Sequence, residues 1–181
     1  MPRYVILLRG INVGGKNKLS MAALKEALEE LGCENVTTYI NSGNVVLESK
    51  KSAKALEAEI ETVLPKKFKL DSELIRVLAL TKAQFKAAVT GRPNGFGDEP
   101  GKYHSDAIFL MSGKVAEAVK AFSPREGVDA LWPGKGVIYH QRLSTQRTKS
   151  RLNRIMATPV YKEMTIRNWA TTTKLLDMLE G

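Results

Sequence analysis

Apolar positions along the first 80 residues switch between strand-like and helix-like spacing. Tyr4–Arg9 is a nearly continuous apolar run, which predicts a central strand covered on both faces. Met21, Leu24, Ala27, Leu28 and Leu31 then fall on one helical stripe, opened by Ser20 as a cap and stopped by Gly32. Val36–Asn41 and Asn44–Glu48 are rich in β-branched residues, and Ser42-Gly43 between them is a two-residue hairpin signal. A second helix is predicted from Ser52 to Leu64, with Leu56, Ile60 and Leu64 at four-residue steps and Pro65 at its end. Leu74–Leu80 predicts a fourth strand. The order βαββαβ is that of a split βαβ, or ferredoxin-like, unit.

The second half repeats the pattern less regularly. Thr81 opens a short helix through Phe85 and Val89, and Arg92–Lys102 is a Gly/Pro-rich loop. Asp106–Met111 reads as a strand, Val115–Phe122 as a helix, and Asp129–Trp132 with Val137–Gln141 as a hairpin around Pro133-Gly134. Arg147–Met156 has the spacing of a basic helix, and Thr165–Leu179 that of a final one. The expected class is α+β with antiparallel sheets in two sub-domains. A plait covers 1–80, and a second βαββα-type unit with basic C-terminal helices covers 81–181.

Length and composition fit that picture. A chain of 181 residues suits one large domain or two compact ones, and 43% hydrophobic with 26% charged residues is ordinary packed-globule usage. No apolar run is long enough to span a bilayer. The run after Met1-Pro2 ends at Arg9 without the long apolar region or cleavage site of a signal peptide. Cys33 is the only cysteine, which excludes an intrachain disulfide and points to a reducing, cytoplasmic setting. One cysteine and two histidines do not make a structural zinc site, and no metal or cofactor is called for.

Charge changes the picture more. The net charge is +9, yet Lys135–Lys174 alone holds nine cations and a single acid, Glu163. Nearly the whole excess sits in one segment, which points to an anionic partner.

Two stretches could receive it. Gly10-Ile11-Asn12-Val13-Gly14-Gly15-Lys16 satisfies the G-x-x-x-x-G-K pattern directly after a strand. Asn17 stands where a Ser or Thr would hold magnesium, the helix cap arrives only at Ser20, and no later strand ends in a metal-holding Asp. These departures argue against a Walker-type nucleotide hydrolase. Two readings remain open. The glycines serve only positive φ, or bare N–H groups with Lys16 and Lys18 face a phosphate or carboxylate.

In the basic segment, Arg147, Arg151 and Arg154 are spaced i, i+4, i+7 and share one face of the expected helix, with Arg142 and Lys149 extending the field. Their repulsion, about a few tenths of a kcal/mol per pair, is offset where an anion is bound by paired hydrogen bonds. The alternative is a face neutralised by acids of another element, such as Glu57, Glu59 and Glu61. No aromatic stacking signature accompanies the charges, so base-specific readout is not expected. Near the C-terminus, Arg167, Thr171 and Lys174 would share a helical face while Trp169 anchors another. Conventional catalytic groups are sparse. His104-Ser105-Asp106 are consecutive on a strand start and point alternately, so they form no triad. Cys33 has no adjacent cation to activate it.

Tyr4–Lys18 (YVILLRGINVGGKNK), Thr38–Val46 (TYINSGNVV) and Thr165–Leu176 (TIRNWATTTKLL) resemble the three hallmark blocks of a bacterial family catalogued as domain of unknown function 1697. The resemblance covers nearly the full length. It implies a cytoplasmic protein of two ferredoxin-like α/β plaits and brings no activity with it. Arg9, Gly10, Asn12, Gly14, Gly15, Lys16, Asn41, Ser42, Gly43, Asn44, Arg167, Asn168, Trp169 and Lys174 match its blocks. That inventory suits binding an anion better than acid–base chemistry.

The leading expectation is therefore a protein that binds a phosphate-bearing ligand, nucleic acid or a nucleotide. Arg9, Asn12, Gly14, Gly15, Lys16, Lys18, Arg167, Asn168 and Lys174 are the anion candidates. Arg142, Arg147, Lys149, Arg151 and Arg154 are the nucleic-acid candidates. One alternative is an enzyme acting on a small phosphorylated substrate, with Lys16 and Arg167 as charge clamps and Asn12 orienting the substrate. Another is an interaction module that binds an acidic protein through Arg147, Arg151 and Arg154. In a regular plait the glycine-rich loop and the Ser42-Gly43 hairpin are expected at opposite ends of the sheet. They would then share a site only through the second sub-domain or a partner chain.

Overall fold

The computed structural model describes residues 1–71 and 75–181, and these form two compact units. One is Met1–Lys86 with Leu175–Gly181, and the other is Ala87–Lys174. The division thus falls at Lys86, and Leu175–Gly181 belongs with the first unit.

The first unit runs β1 (Arg3–Arg9), α1 (Met21–Glu30), β2 (Glu34–Tyr39), β3 (Asn44–Glu48), α2 (Ala53–Lys67) and β4 (Arg76–Thr81). Its strands lie in the order β2-β3-β1-β4 with antiparallel neighbours, the ferredoxin-like arrangement. Leu74, at the start of the expected fourth strand, lies outside the described residues. The caps are the expected ones: Ser20 and Ser52 accept from the Ala23 and Ala55 N–H groups. Ile6, Leu8, Val45 and Leu47 bury one sheet face in a cluster with Leu24, Leu28, Leu56 and Ile60. Each such side chain contributes about 1.5–3 kcal/mol relative to exposure. β4 is an edge strand. Glu61 and Glu57 of α2 accept from its Val77 and Ala79 N–H groups at 2.8 and 3.0 Å, which occupies donors that would otherwise invite another strand. α3 (Lys82–Thr90) opens on a capping box, in which Gln84 N–H donates to Thr81 Oγ1 and Thr81 N–H to Gln84 Oε1.

The second unit contains β5 (Tyr103–Leu110), α4 (Val115–Ala121), β6 (Asp129–Pro133), β7 (Val137–Leu143) and β8 (Met164–Asn168). Its order, β6-β7-β5-β8, repeats the first sheet's order, so the protein is built from two ferredoxin-like plaits. Ile108, Leu110, Ile138 and Met164 pack with Ala118, Phe122, Leu152 and Ile155. Phe96, Trp132, Tyr139 and Trp169 meet edge to face, with ring centroids 5.1–6.3 Å apart.

Two sequence expectations fail here. The basic helix over Arg147–Met156 is absent. Short 3-10 segments at Ser144–Lys149, Leu152–Ala157 and Pro159–Glu163 stand where the first plait has α2. The cause is a distant carboxylate. Asp129 accepts from Ser150 Oγ at 2.6 Å and from Arg151 N–H at 2.9 Å, bonds that compete with a continuous helix at that point. The second failure is the helix over Thr165–Leu179, whose first residues form β8 instead. Thr165 and Ile166 are β-branched and pair with Phe109 and Ile108 of β5. Only then does α5 (Trp169–Glu180) begin, with Asn168 Oδ1 accepting from Thr171 N–H at 2.8 Å as its cap. No helix among the described residues is long and apolar enough to cross a membrane.

Candidate anion-binding site

The glycine-rich loop folds back on itself as a small β-finger. Lys16 N–H donates to Val13 O at 2.9 Å and Asn12 N–H to Asn17 O at 3.1 Å, across a tip formed by Gly14 (φ 57°) and Gly15 (φ 75°). Two positive φ values in succession define a primed hairpin turn, which glycine adopts without steric cost. Asn12 Nδ2 donates to Leu19 O and Asn41 O, both at 2.8 Å, while Asn12 Oδ1 accepts from Leu19 N–H. Asn17 Nδ2 donates to Gly10 O, and its N–H to Asp71 Oδ2. These groups hold the loop together, and Asn12 is turned to the main chain.

The loop and the hairpin share one end of the sheet, contrary to expectation. β1 and β2 are both antiparallel to β3, so they run parallel to each other and their C-terminal ends coincide. Leu8 N–H donates to Gly43 O at 2.9 Å, and a methyl placed on Gly43 would fall 2.8 Å from Leu8 Cβ. The connection spans Ile40–Gly43, more than the two residues expected, and buried Asn44 braces it through bonds from Nδ2 to Tyr39 O and Ser42 Oγ. Lys16 and Lys18 are exposed on this end, Val13 and Ile40 are 63% and 52% exposed, and Arg9 sits opposite Arg76 at the end of β1. Ile40 has φ 47°, an outlier for a β-branched residue.

The second unit holds a denser arrangement. On β7, Arg142 lies in register between Asp129 of β6 and His104 of β5, and His140 lies between Leu131 and Asp106. Strand alternation puts all of these on one face. Asp129 organises the surroundings. Its Oδ1 accepts from Ser150 Oγ, and its Oδ2 from the N–H groups of Arg125 (3.0 Å) and Arg151 (2.9 Å). Arg125 Nη1 reaches Lys149 O at 3.4 Å. Burial alone would raise the Asp129 pKa, but the bonds from Arg151, Ser150 and Arg125, with His140 nearby, hold it below the ordinary value. Three of its roughly four acceptor positions are thus taken by a hydroxyl and two main-chain amides.

Cations are left over. Among the described residues, Arg125, Arg142, Arg147, Lys149, Arg151 and Arg154 form no ion pair with a carboxylate, although the Arg142 charge is near enough to Asp106 to pull its pKa down. The Nε atoms of Arg142 and Arg151 are buried with no hydrogen-bond partner, as are both ring nitrogens of His140. His140 is 1% exposed, and its Nε2 is 3.8 Å from Asp129 Oδ1. Burial, assisted by Arg142 and His104 and opposed by Asp129, lowers its pKa to about 4, so it is neutral near pH 7. Buried polar atoms are nearly always bonded. Unpartnered buried nitrogens near Asp129, which already accepts three hydrogen bonds, and Asp106, which His104 engages, have the chemistry to accept an anion.

The other sequence candidates are placed as follows. Arg147, Lys149 and Arg154 are exposed on the 3-10 segments, and they do not line one helical face with Arg151. Arg167 is on β8, 8% exposed, with Nη1 donating to Thr165 Oγ1 (2.8 Å) and Ile166 O (3.0 Å), and burial lowers its pKa to about 10. Asn168 caps α5, and Lys174 is exposed on it. Arg167 therefore shares no helical face with Thr171 and Lys174. Glu57, Glu59 and Glu61 are engaged by Lys54, Lys51 and Arg76 and by β4 amides, all within the first unit. Sequence reasoning missed Arg125, Asp129 and His140. Alternation along β7 was the available signal, since it sets His140 and Arg142 two residues apart on one face. The same alternation separates Ser105 from its neighbours but brings His104 and Asp106 together, with His104 Nε2 3.1 Å from Asp106 Oδ1.

No curated protein matches the chain. Among solved structures, a conserved bacterial protein from Streptococcus pneumoniae aligns over 100% of this chain and 99% of its own, at 29% identity and a TM-score of 0.80. Residues 1–139, from the first strand into β7, match the profile of a family described as protein of unknown function, DUF1697. With the glycine-rich finger, the braced Asn44 hairpin and the Asn168 cap all in place, the chain belongs to the DUF1697 family.

Proposed function

We propose that this protein binds a phosphate-bearing ligand, nucleic acid or a nucleotide, at the cluster formed by Arg125, Arg142, Lys149 and Arg151 in the second plait. The observation that carries this reading is the pair of buried, unpartnered Arg142 and Arg151 Nε atoms near an Asp129 that already accepts three hydrogen bonds. A phosphate offers several acceptor oxygens and negative charge at once, which matches unpaired guanidinium groups better than a neutral ligand does. Exposed Arg147 and Arg154 extend the field along a strand. Lys16, Lys18 and Arg9 form a separate basic end on the first plait, where the lysines are the accessible contacts.

The test is fluorescence anisotropy with a labelled single-stranded oligonucleotide of mixed sequence, titrated at low and at physiological salt. Binding should weaken linearly in a log–log plot against salt. The double variant Arg142→Gln, Arg151→Gln should lose about tenfold or more in affinity and lower the salt slope by about 1 to 2. An affinity indifferent to salt, or a double variant that binds like the parent, counts against the reading.

A further inference from the structure

β7 pairs with β5 as far as Tyr103, whereas β8 pairs with it only as far as Asp106, opposite Asn168. Beyond that point the chain leaves the sheet into α5. A cavity of about 680 Å³ opens between Tyr103–Ser105 and the start of that helix, a size that holds one small ligand. Pro100, Tyr103 and Trp169 give the wall an apolar, aromatic character. The indole is tightly seated: a methyl on Gly97 would fall 2.3 Å from Trp169 Cδ1, and Phe96 meets the ring edge to face at 5.1 Å. Arg92 and Asp98, also in the wall, are paired with each other at 2.7 Å. Among the described residues of the wall, no unpaired cation is then left to attract a phosphate or carboxylate, and no unpaired carboxylate to attract an amine.

Two polar side chains of the wall keep hydrogen-bonding capacity. Asp106, 7% exposed behind His104, assigns the ring proton to Nε2 at 3.1 Å, so the neutral imidazole presents Nδ1 as an acceptor. Asn168 spends Oδ1 on the Thr171 N–H as the cap of α5, which leaves its Nδ2 hydrogens as donors. Asn168 is the register partner of Asp106, and His104 lies two residues from Asp106 on β5. Acceptor and donor therefore stand on one face as diagonal neighbours, about 7–8 Å apart. We propose that this cavity binds a neutral, planar heterocycle with an N–H beside a carbonyl, the edge that an oxopurine or pyrimidinedione nucleoside presents. The ring N–H donates to His104 Nδ1, the carbonyl accepts from Asn168 Nδ2, and the ring lies against Tyr103 and Trp169. The site is independent of phosphate binding at the arginine cluster, because Arg142 is not part of this wall.

Calorimetric titration of the full chain with inosine and with uridine tests this, since both are uncharged and carry the required edge. At least one should bind at a single site per chain, and ribose should give no heat. Asn168→Ser keeps a hydroxyl cap for α5 but removes the Nδ2 donor, so it should weaken binding about tenfold in protein that unfolds at the wild-type urea midpoint. His104→Ala should weaken it by a similar factor, again about tenfold. In the Arg142→Gln, Arg151→Gln background, inosine 5′-monophosphate should bind no more tightly than inosine. No heat with either nucleoside, or both single variants binding like the parent, overturns the proposal. So does a loss of affinity found only in variants that unfold early, or a monophosphate that binds about tenfold more tightly in that background. None of these results alters the salt dependence of oligonucleotide binding, so the cavity and the arginine cluster stand or fall separately.

Discussion

The two plaits share a strand order and differ in how the third strand is joined to the fourth. In the first, α2 makes the connection, and its acids are matched at home. Glu57 meets Lys54 and the Ala79 amide, Glu59 meets Lys51, and Glu61 meets the Val77 amide and Arg76. In the second, 3-10 segments make it. They carry Arg147, Lys149, Arg154 and Lys162, with Arg151 between them and Glu163 as the one acid. One topology can thus be closed by a helix whose charges are satisfied inside the unit, or by turns whose charges are not. The familiar-looking feature, a glycine-rich loop, belongs to the satisfied plait and spends its asparagines on itself. In the other plait, the cations of the connection form no ion pair with a carboxylate among the described residues.

The sharpest way to break this contrast is to remove the group that organises each connection. Asp129→Ala deletes three hydrogen bonds and leaves buried cationic groups beside an empty space. It should cost about 3–5 kcal/mol, read as a lowered midpoint in urea unfolding. Glu61→Ala in the first plait removes one bond to the Val77 edge amide and a long, partly exposed ion pair, and should cost about 1–2 kcal/mol. Equal costs would show that the second connection is no more dependent on a buried acid than the first.

Acid sharpens the same comparison, because both histidines lie in the second plait. His140 has a folded pKa of about 4, below the ordinary value of about 6.5. The native state stays uncharged there while the unfolded chain binds a proton. Stability is therefore full above pH about 6.5 and falls as the pH drops toward 4, by up to about 3 kcal/mol. Asp129, also depressed, adds a further loss at more acid pH. Urea midpoints taken across this range should slope steeply for the parent and less for His140→Gln. An unchanged slope in the variant would mean that His140 is not the group responsible.

How much of this was legible in the sequence follows from the range of the interactions involved. The first plait was readable almost throughout, since Ser20, Gly32, Ser52 and the Leu56-Ile60-Leu64 ladder are local signals. The hairpin around Pro133-Gly134 was readable for the same reason. Arg147–Met156 was misread because its spacing is helical while its conformation is set by Asp129, some twenty residues upstream in the chain. Thr165 and Ile166 were drawn into a helix because the pairing demand of β5 is invisible locally. The candidate site was half visible. Its arginines stood out by charge, but Arg125, Asp129 and His140 are brought to them only by strand register.

The smallest expected effect concerns the turns. The first plait joins β2 to β3 through Ile40 at φ 47°, whereas the second joins β6 to β7 through Gly134-Lys135-Gly136, with Gly136 at φ 73°. A β-branched residue in the left-handed region carries strain of about 1–3 kcal/mol, and Ile40 is too exposed to recover it by packing. Glycine removes that strain but brings more unfolded-state entropy, about 0.5–1 kcal/mol. Ile40→Gly should then stabilise the protein by about 1 kcal/mol. The reverse exchange, Gly136→Ala, meets no atom within 4 Å of the new methyl, so it reports conformational strain alone and should destabilise by about 1 kcal/mol. If Ile40→Gly is instead destabilising while Gly136→Ala behaves as expected, Ile40 makes contacts that its exposure does not reveal, and the first plait's turn is under no strain worth relieving.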